Sequence, residues 1–373
     1  MNPITTSPQS VYFIGLDLHS TNVFVCIKTA QFGINGMQSQ TLVSKKFNVE
    51  TRPSIEKLLS FLQPYCENTQ HYAVVESTYN WYWLADEFEA RGWNLRLADP
   101  CTVSQANLKY SDDKTDAEYL AECLYRGSLK TATILSRDMR DIRDLCRFRM
   151  TLVQERAMKK ITIINLYTNQ LSSKAYLSDL LKYAYYLLEN DKPLTELLDT
   201  ERDSRLVDGA QLRVRMLVEQ IIRLDKDIQE LEAIIFPKLK QNMYGKLMLS
   251  IKGCGPILAS LIAFEIGDIS RFHTAKDFKS YCRLAPTAKL SNGKSKGLGN
   301  AKNGNAYLSW AMTELANLMV RFNPAASQYY ERKLKKTRLR VKAIRTLAAK
   351  IAGAIFMMLK HGEVFDVNRC FSS

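Results

Sequence analysis

The chain has 373 residues and carries 52 lysines and arginines against 38 aspartates and glutamates, a formal charge of +14. That length accommodates two or three domains with sizeable cores, and the basic excess points to a polyanionic partner, nucleic acid before membrane. No long apolar run or leader pattern is seen, the eight cysteines show neither a CxxC pair nor zinc-finger spacing, and the four histidines leave little for a serine–histidine relay.

Residues 11–19, VYFIGLDLH, form an apolar run with Asp17 near its end, followed by extended stretches over 22–29 and 37–49. Short polar or glycine-containing joints between them predict an antiparallel meander. A cap residue, an early proline and helical spacing at Ile55, Leu58, Leu59 and Leu62 predict a helix over 51–63. HYAVVEST, 71–78, reads as a buried strand with Glu76 near its C-terminal end, and a helix (80–91), a strand (94–100) and a further helix follow.

That last helix opens in KYSDDKTDAEYLA, where Asp113 and Asp116 are three apart and therefore share a face. Asp112 is out of register with them and suits a helix cap. Read blandly, all three solvate a helix start, Asp17 is a strand-end turn residue and Glu76 a surface acid. The order of elements matches a ribonuclease H-like arrangement, in which Asp17, Glu76, Asp113 and Asp116 can converge. Four such carboxylates repel one another unless Mg²⁺ or Mn²⁺ lies between them, since hard divalent cations prefer oxygen ligands. Two such ions can hold the attacking and leaving oxygens of a phosphoryl transfer.

Residues 136–245 read as helical. Val214, Leu217, Ile221, Leu224, Ile228, Leu231 and Ile235 alternate three- and four-residue steps, a heptad seam that needs an opposing surface. A helix from Arg137 to about Leu171 can supply it in the chain, and a second copy can supply it as a dimer. Tyr183, Tyr185 and Tyr186 lie among leucines and read as packing residues rather than base-stacking platforms. Pro237 is expected to end the seam.

Residues 246–373 read as a mainly helical domain. Lys252-Gly253-Cys254-Gly255-Pro256 has the make-up of a turn before a helix. It either connects helices or presents backbone N–H groups to phosphate, as in helix-hairpin-helix DNA binders. LAPTAKLSNGKSKGLGNAKNGNAYLSWA, 284–311, reads as a mobile basic loop before a helix beginning near Ala306. Its Lys294, Lys296, Lys302, Asn303 and Asn305 are candidate nucleic-acid contacts. Ser291 and Ser295 offer hydroxyls there, but a serine needs an activating base, metal or field that the loop itself does not provide, and both also serve as turn formers. Eight basic residues between 331 and 345, among them Arg332, Lys333, Lys336, Arg338 and Arg340, form a run suited to following phosphates. A terminal amphipathic helix is expected to pack on this domain.

In order, GLDLH, VVEST, DKTDAEYLA, IKGCGPILASLIAFEIGDISRF, LSNGKSKGLGNAKNGNAYLSWA and KAIRTLAAKIAGAIFMMLKHG resemble the DEDD-type insertion-sequence transposases of the one-ten family, especially the one-one-one-one subgroup, relatives of the Piv DNA invertase. The resemblance implies an α/β plus all-α chain: a RuvC-like domain of ribonuclease H fold (1–135), a helical coiled-coil region (136–245) and a C-terminal transposase domain (246–373). It places the acidic tetrad on Asp17, Glu76, Asp113 and Asp116, and a catalytic serine on Ser291. Ser291 is followed by Asn292 and Gly293 where many relatives have Ser-Gly, which keeps Ser295 as a rival. It also implies a covalent serine–DNA link, donor and target DNA as substrates, a non-coding guide RNA, and a homo-oligomer, a dimer or dimer of dimers, on the bacterial nucleoid in the cytoplasm. Two alternatives stand beside it: an invertase or junction nuclease that hydrolyses without a covalent serine, and a catalytically idle nucleic-acid scaffold.

Overall fold

The computed structural model describes residues 11–33, 36–77, 80–98, 113–132, 134–171, 176–198, 203–285, 288–291, 294–298 and 303–371. They fall into two compact units, 1–137 and 138–373.

The first unit is a mixed sheet with helices on both faces. Strands β1 (Val11–Leu18), β2 (Asn22–Gly33) and β3 (Gly36–Asn48) form the expected antiparallel meander. Helix α1 (Arg52–Cys66) follows, with Thr51 accepting the Ser54 N–H at its start and a proline in its first turn. Strand β4 (Gln70–Glu76) lies parallel to β1. Helix α2 (Tyr82–Ala90) leads to β5 (Leu95–Ala98), parallel to β4, and helix α3 (Asp113–Tyr125) precedes the short edge strand β6 (Thr131–Ala132). The strand order is β3-β2-β1-β4-β5-β6.

Alternation along the strands divides the residues between the two faces. Ile14, Leu16 and Leu18 of β1, with Ala73 and Val75 of β4, bury against Leu58, Leu59 and Leu62 of α1 and Leu84 and Phe88 of α2. The intervening residues, including Gly15 and Asp17, point to the other face, where α3 packs. There Ala117 and Ala121 meet Cys26, and Leu120 meets Val74 and Ala98. Gly15 sets the approach: a Cβ at this position would lie 2.1 Å from the Ala117 carbonyl oxygen and 2.7 Å from the Ala121 nitrogen. Only glycine lets the helix backbone come so close to β1.

The second unit opens with a long antiparallel pair, α4 (Arg137–Leu171) and α6 (Asp208–Gln241), with α5 (Leu177–Glu189) packed beside it. The seam finds its opposing surface within the chain. Ile163, Leu166 and Tyr167 of α4 meet Val214, Val218 and Ile221, while Leu152 meets Leu224 and Ile228. Arg149–Glu232 and Arg156–Asp225 ion pairs flank it. Pro237 does not end the seam's helix, contrary to expectation. It sits inside α6, and Ala233, whose carbonyl it leaves without an N–H donor, is exposed, so water can serve that oxygen. Tyr185 is a packing residue as expected and donates to Asp225 at 2.7 Å. Tyr183 and Tyr186 are instead exposed and stack on each other, centroids 6.1 Å apart.

Helices α7 (Met243–Leu249), α8 (Pro256–Ile266), α9 (Ala275–Tyr281), α10 (Ala306–Phe322), α11 (Pro324–Thr337), α12 (Arg340–His361) and α13 (Val367–Phe371) complete this unit. Their core is continuous with residues of α4 and α6, and α8 is buried from Leu258 to Ile266. One expectation changes here. The supposed loop carries an antiparallel hairpin, β7 (Ala288–Ser291) with β8 (Lys294–Leu298), in which Ser291 pairs with Lys294. The basic run is divided between two helices: Arg338, at φ 54°, ends α11 in a left-handed conformation and Arg340 begins α12.

Candidate active site

The acids of the first unit gather where β1, β4 and α3 meet. Leu16 of β1 stands opposite Val75 of β4, so the next residues along the two parallel strands, Asp17 and Glu76, are neighbours on one face of the sheet. The Gly15 contact brings the first turn of α3, with Asp113 and Asp116, over the same place. His19 Nε2 sits 3.1 Å from Asp17 Oδ2 and 3.2 Å from Asp113 Oδ1, and donor atoms of the three residues lie within 4.8 Å of one another. Lys46 of β3 reaches Asp113 Oδ2 at 3.2 Å.

Electrostatics mark this convergence. Asp17 is only 7% exposed. Burial pushes its carboxyl above the usual range, His19 pulls the other way, and Asp116 and Asp113 add to the rise. Glu76 is raised by burial first and then by Asp17 and Asp116. Asp113 is lowered, chiefly by its hydrogen bond from Lys46. A buried and a half-buried acid, both raised by burial and by Asp116, next to a more exposed, ionised third form a site of excess negative charge. Its oxygen donors, with one imidazole nitrogen, suit a divalent cation. His19 and Lys46 had no assigned role in the sequence. His19 stands in the GLDLH motif two residues from Asp17, so a signal was present, but Lys46 reaches the site only through strand pairing.

In the second unit, Ser291 ends β7 and Lys294 and Lys296 lie on β8. Asp112 and Lys302 lie outside the described residues. Lys252 and Gly255 are exposed around the start of α8, with Gly255 its N-cap and Pro256 its first residue. Gly253 adopts φ 99° against Leu318 and Phe322. Arg332, Lys336, Arg338 and Arg340 are exposed, while Lys333 is half-buried with its ammonium 5.0 Å from the Tyr329 ring. Asn303 is exposed. Asn305 is turned inward at 8% exposure, where it caps α10 and donates to the buried Glu265, so its amide serves the fold rather than the surface.

Two family models match the chain. One, a transposase model of the DEDD IS110 type, matches residues 14–169. The other, described as the transposase IS116/IS110/IS902 family, matches residues 245–331. Among similar curated proteins, an insertion element IS110 protein of 43.6 kDa from Streptomyces coelicolor is 28% identical over 41% of this chain and 38% of its own length. The transposase for insertion sequence element IS1328 of Yersinia enterocolitica is 23% identical over 83% of this chain and 84% of its own. The transposase for IS1111A of Coxiella burnetii is 24% identical over 65% of this chain and 63% of its own. The first family match takes in the four converging acids and the second the glycine turn, the hairpin and α10, and with both in sequence order the chain belongs to the IS110 family of DEDD transposases.

Proposed function

We propose that the chain moves an insertion sequence by cutting and rejoining DNA, with Asp17, Glu76, Asp113 and Asp116 as the ligands of a divalent metal centre and Ser291 as the nucleophile. The observation that carries the reading is the gathering of buried and half-buried carboxylates at one sheet end, with Asp17, His19 and Asp113 donors within 4.8 Å. Strand order β3-β2-β1-β4-β5 with α3 behind β1 supports a ribonuclease H-like, RuvC-type domain over 1–135. The paired α4 and α6 support a coiled-coil region over 136–245, and the Gly253–Pro256 turn at the start of α8 supports a helix-hairpin-helix-like element in a transposase domain over 246–373.

Bound Mg²⁺ or Mn²⁺ supplies Lewis acidity and charge neutralisation at the scissile phosphate. The four carboxylates hold the ions and orient the strand. Ser291 Oγ forms a bond to phosphorus as a deoxyribose oxygen leaves; the proton lost by Oγ balances the one gained by the leaving oxygen. Reversal with a different strand end completes exchange and conserves the number of phosphodiester bonds. Lys252, Lys294, Lys296, Arg332, Lys336, Arg338 and Arg340 contact nucleic-acid backbones, consistent with the formal charge of +14. In this reading a non-coding guide RNA selects donor and target by base pairing, and the protein acts on the bacterial nucleoid as a dimer or dimer of dimers, related in mechanism to the Piv invertase. No helix among the described residues is long and apolar enough to cross a membrane.

The test is covalent trapping: protein, the RNA flanking the element, labelled donor and target DNA and Mg²⁺, comparing wild type with Ser291→Ala and Asp113→Ala. A denaturation-resistant protein–DNA adduct lost in both variants is expected. Cleavage without an adduct, indifferent to Ser291→Ala, would replace the serine nucleophile with water. DNA binding unaffected by metal, with no cleavage at all, would leave a scaffold.

A further inference from the structure

Within the second unit a carboxylate is buried where no substrate reaches it. Glu265 lies on α8, otherwise apolar from Ile257 to Ile266 apart from Ser260, and is 1% exposed. An isolated charge there is costly, so its partners matter. Arg147 of α4 donates to it twice, Nε to Oε1 at 2.5 Å and Nη2 to Oε2 at 2.8 Å, with its guanidinium 4.7 Å from the Tyr307 ring. The third donor is Asn305 Nδ2, to Oε2 at 2.6 Å.

Asn305 closes the neck of the segment that carries β7 and β8. Its side-chain oxygen accepts the Leu308 N–H at 2.9 Å and so starts α10, while its own N–H donates to the Tyr281 carbonyl at 2.6 Å, at the end of α9. Arg283, at φ 55°, donates through Nε to the Gly304 carbonyl at 2.8 Å, and Arg345 of α12 donates to the Arg283 carbonyl. Gly304 sits at φ 95°, and a Cβ on it would be 2.5 Å from the Tyr281 carbonyl oxygen. The chain entering the hairpin and the chain leaving it are thus bound to each other, and Asn305 binds that neck to a fixed charge in the core.

We propose that Glu265, through Asn305, is a positioning residue that fixes the neck of the 288–298 hairpin and so holds Ser291 in place for reaction. For its catalytic part this rests on the reading of Ser291 as nucleophile; for its mechanical part it does not. Two features favour it over a purely cohesive role. Apolar residues of similar volume would hold α4 to α8 equally well, whereas the charge binds a residue at the hairpin's base. Orientation also matters steeply for an attacking group, since a displacement of about 1 Å costs on the order of 10²-fold in rate.

Asn305→Ser isolates the link, because serine keeps the helix cap but cannot reach Glu265 as the amide does. Glu265→Gln is the second variant, retaining shape while removing the charge. Hydrogen exchange on the full-length protein should show amides of 288–298 exchanging at least about tenfold faster in both variants, with the amides of α8 and the middle of α10 still protected. In the trapping assay, adduct formation should fall about 10–100-fold with DNA affinity within about twofold, and Asn305→Asp should not restore it, since a carboxylate facing Glu265 repels. Unchanged hairpin exchange in both variants overturns the proposal, as does loss of DNA affinity in proportion to adduct. If Ser291→Ala still forms the adduct, the nucleophile reading fails and the exchange measurement alone decides the clamp.

Discussion

At the end of β1, acids crowd together: Asp116 raises the proton affinity of both Asp17 and Glu76, Asp17 adds to that of Glu76, and Asp17, His19 and Asp113 place donor atoms within 4.8 Å. In the second unit Glu265 is still more buried, yet Arg147 meets it with two hydrogen bonds and Asn305 with a third. Both places hold carboxylates away from water, but one arrangement is complete in itself and the other gains from an added cation. Burial alone therefore does not mark a reactive acid; mutual repulsion between acids open to a ligand does. The two places can be separated by experiment.

The largest effect is expected from Asp17→Asn. Adduct formation should fall on the order of 10³-fold, because an amide cannot supply the charge of a carboxylate ligand. Mn²⁺ or Mg²⁺ should raise the melting temperature of the wild-type protein by mass action and leave that of Asp17→Asn nearly unchanged. Equal metal stabilisation of both proteins would remove Asp17 from the centre. Neither ion should rescue Glu265→Gln.

Next comes Gly15→Ala. Its Cβ would be driven into the Ala117 carbonyl at 2.1 Å, a backbone contact that no rotamer relieves. Helix α3 must shift, costing about 1–3 kcal/mol by overpacking and carrying Asp113 and Asp116 away from Asp17. Denaturant unfolding should show the loss of stability, and metal titration a loss of affinity larger than that stability change accounts for. A variant that binds metal as wild type does would show that α3 is not what sets the acids' spacing.

A smaller effect, with a defined pH dependence, belongs to Glu122 of α3. Burial works against its charge, but bonds from Lys28 of β2, Ser39 of β3 and Arg126 overcome this and hold its carboxyl at about 2. A lowered folded-state value means stability that is fully present above the unfolded value of about 4.3 and is lost as pH falls towards about 2. The contribution is of the order of 3 kcal/mol at neutral pH. Glu122→Gln should therefore flatten the stability profile between about pH 4.3 and about pH 2, read by urea unfolding across that range, and leave the profile above it parallel to wild type.

Much of this was legible in the residues. The alternation of β1, the placing of Asp17 and Glu76 at strand ends, and the three-residue spacing of Asp113 and Asp116 were enough to bring four acids to one site, because period and topology dictate which side chains share a face. The hairpin at 288–298 is masked by lysine and glycine content that reads as a loop, although Asn292-Gly293 is the dipeptide that two-residue hairpins favour. Helix α6 runs through Pro237 because an exposed turn tolerates a missing donor, a tertiary circumstance that spacing cannot reveal. Glu265 was invisible for the same kind of reason. One acid in an apolar helix shows that partners must exist, but not that they come from residues 147 and 305.

Lys46 gives the finest test of the comparison. Its ion pair with Asp113 has the geometry of a salt bridge, 3.2 Å, yet both side chains are substantially exposed, so it contributes little to stability. Its effect should instead be competitive. An ammonium on Asp113 Oδ2 occupies an oxygen that a divalent ion would use, and Lys46→Ala frees it. Stability should stay within about 0.5 kcal/mol of wild type, while Mn²⁺ affinity at low ionic strength should rise a few-fold, with the gain shrinking as salt screens the lysine. If affinity falls instead, Lys46 orients Asp113 as a ligand, as Arg147 orients the carboxylate of Glu265, and the two units would resemble each other more closely than their charge balance suggests.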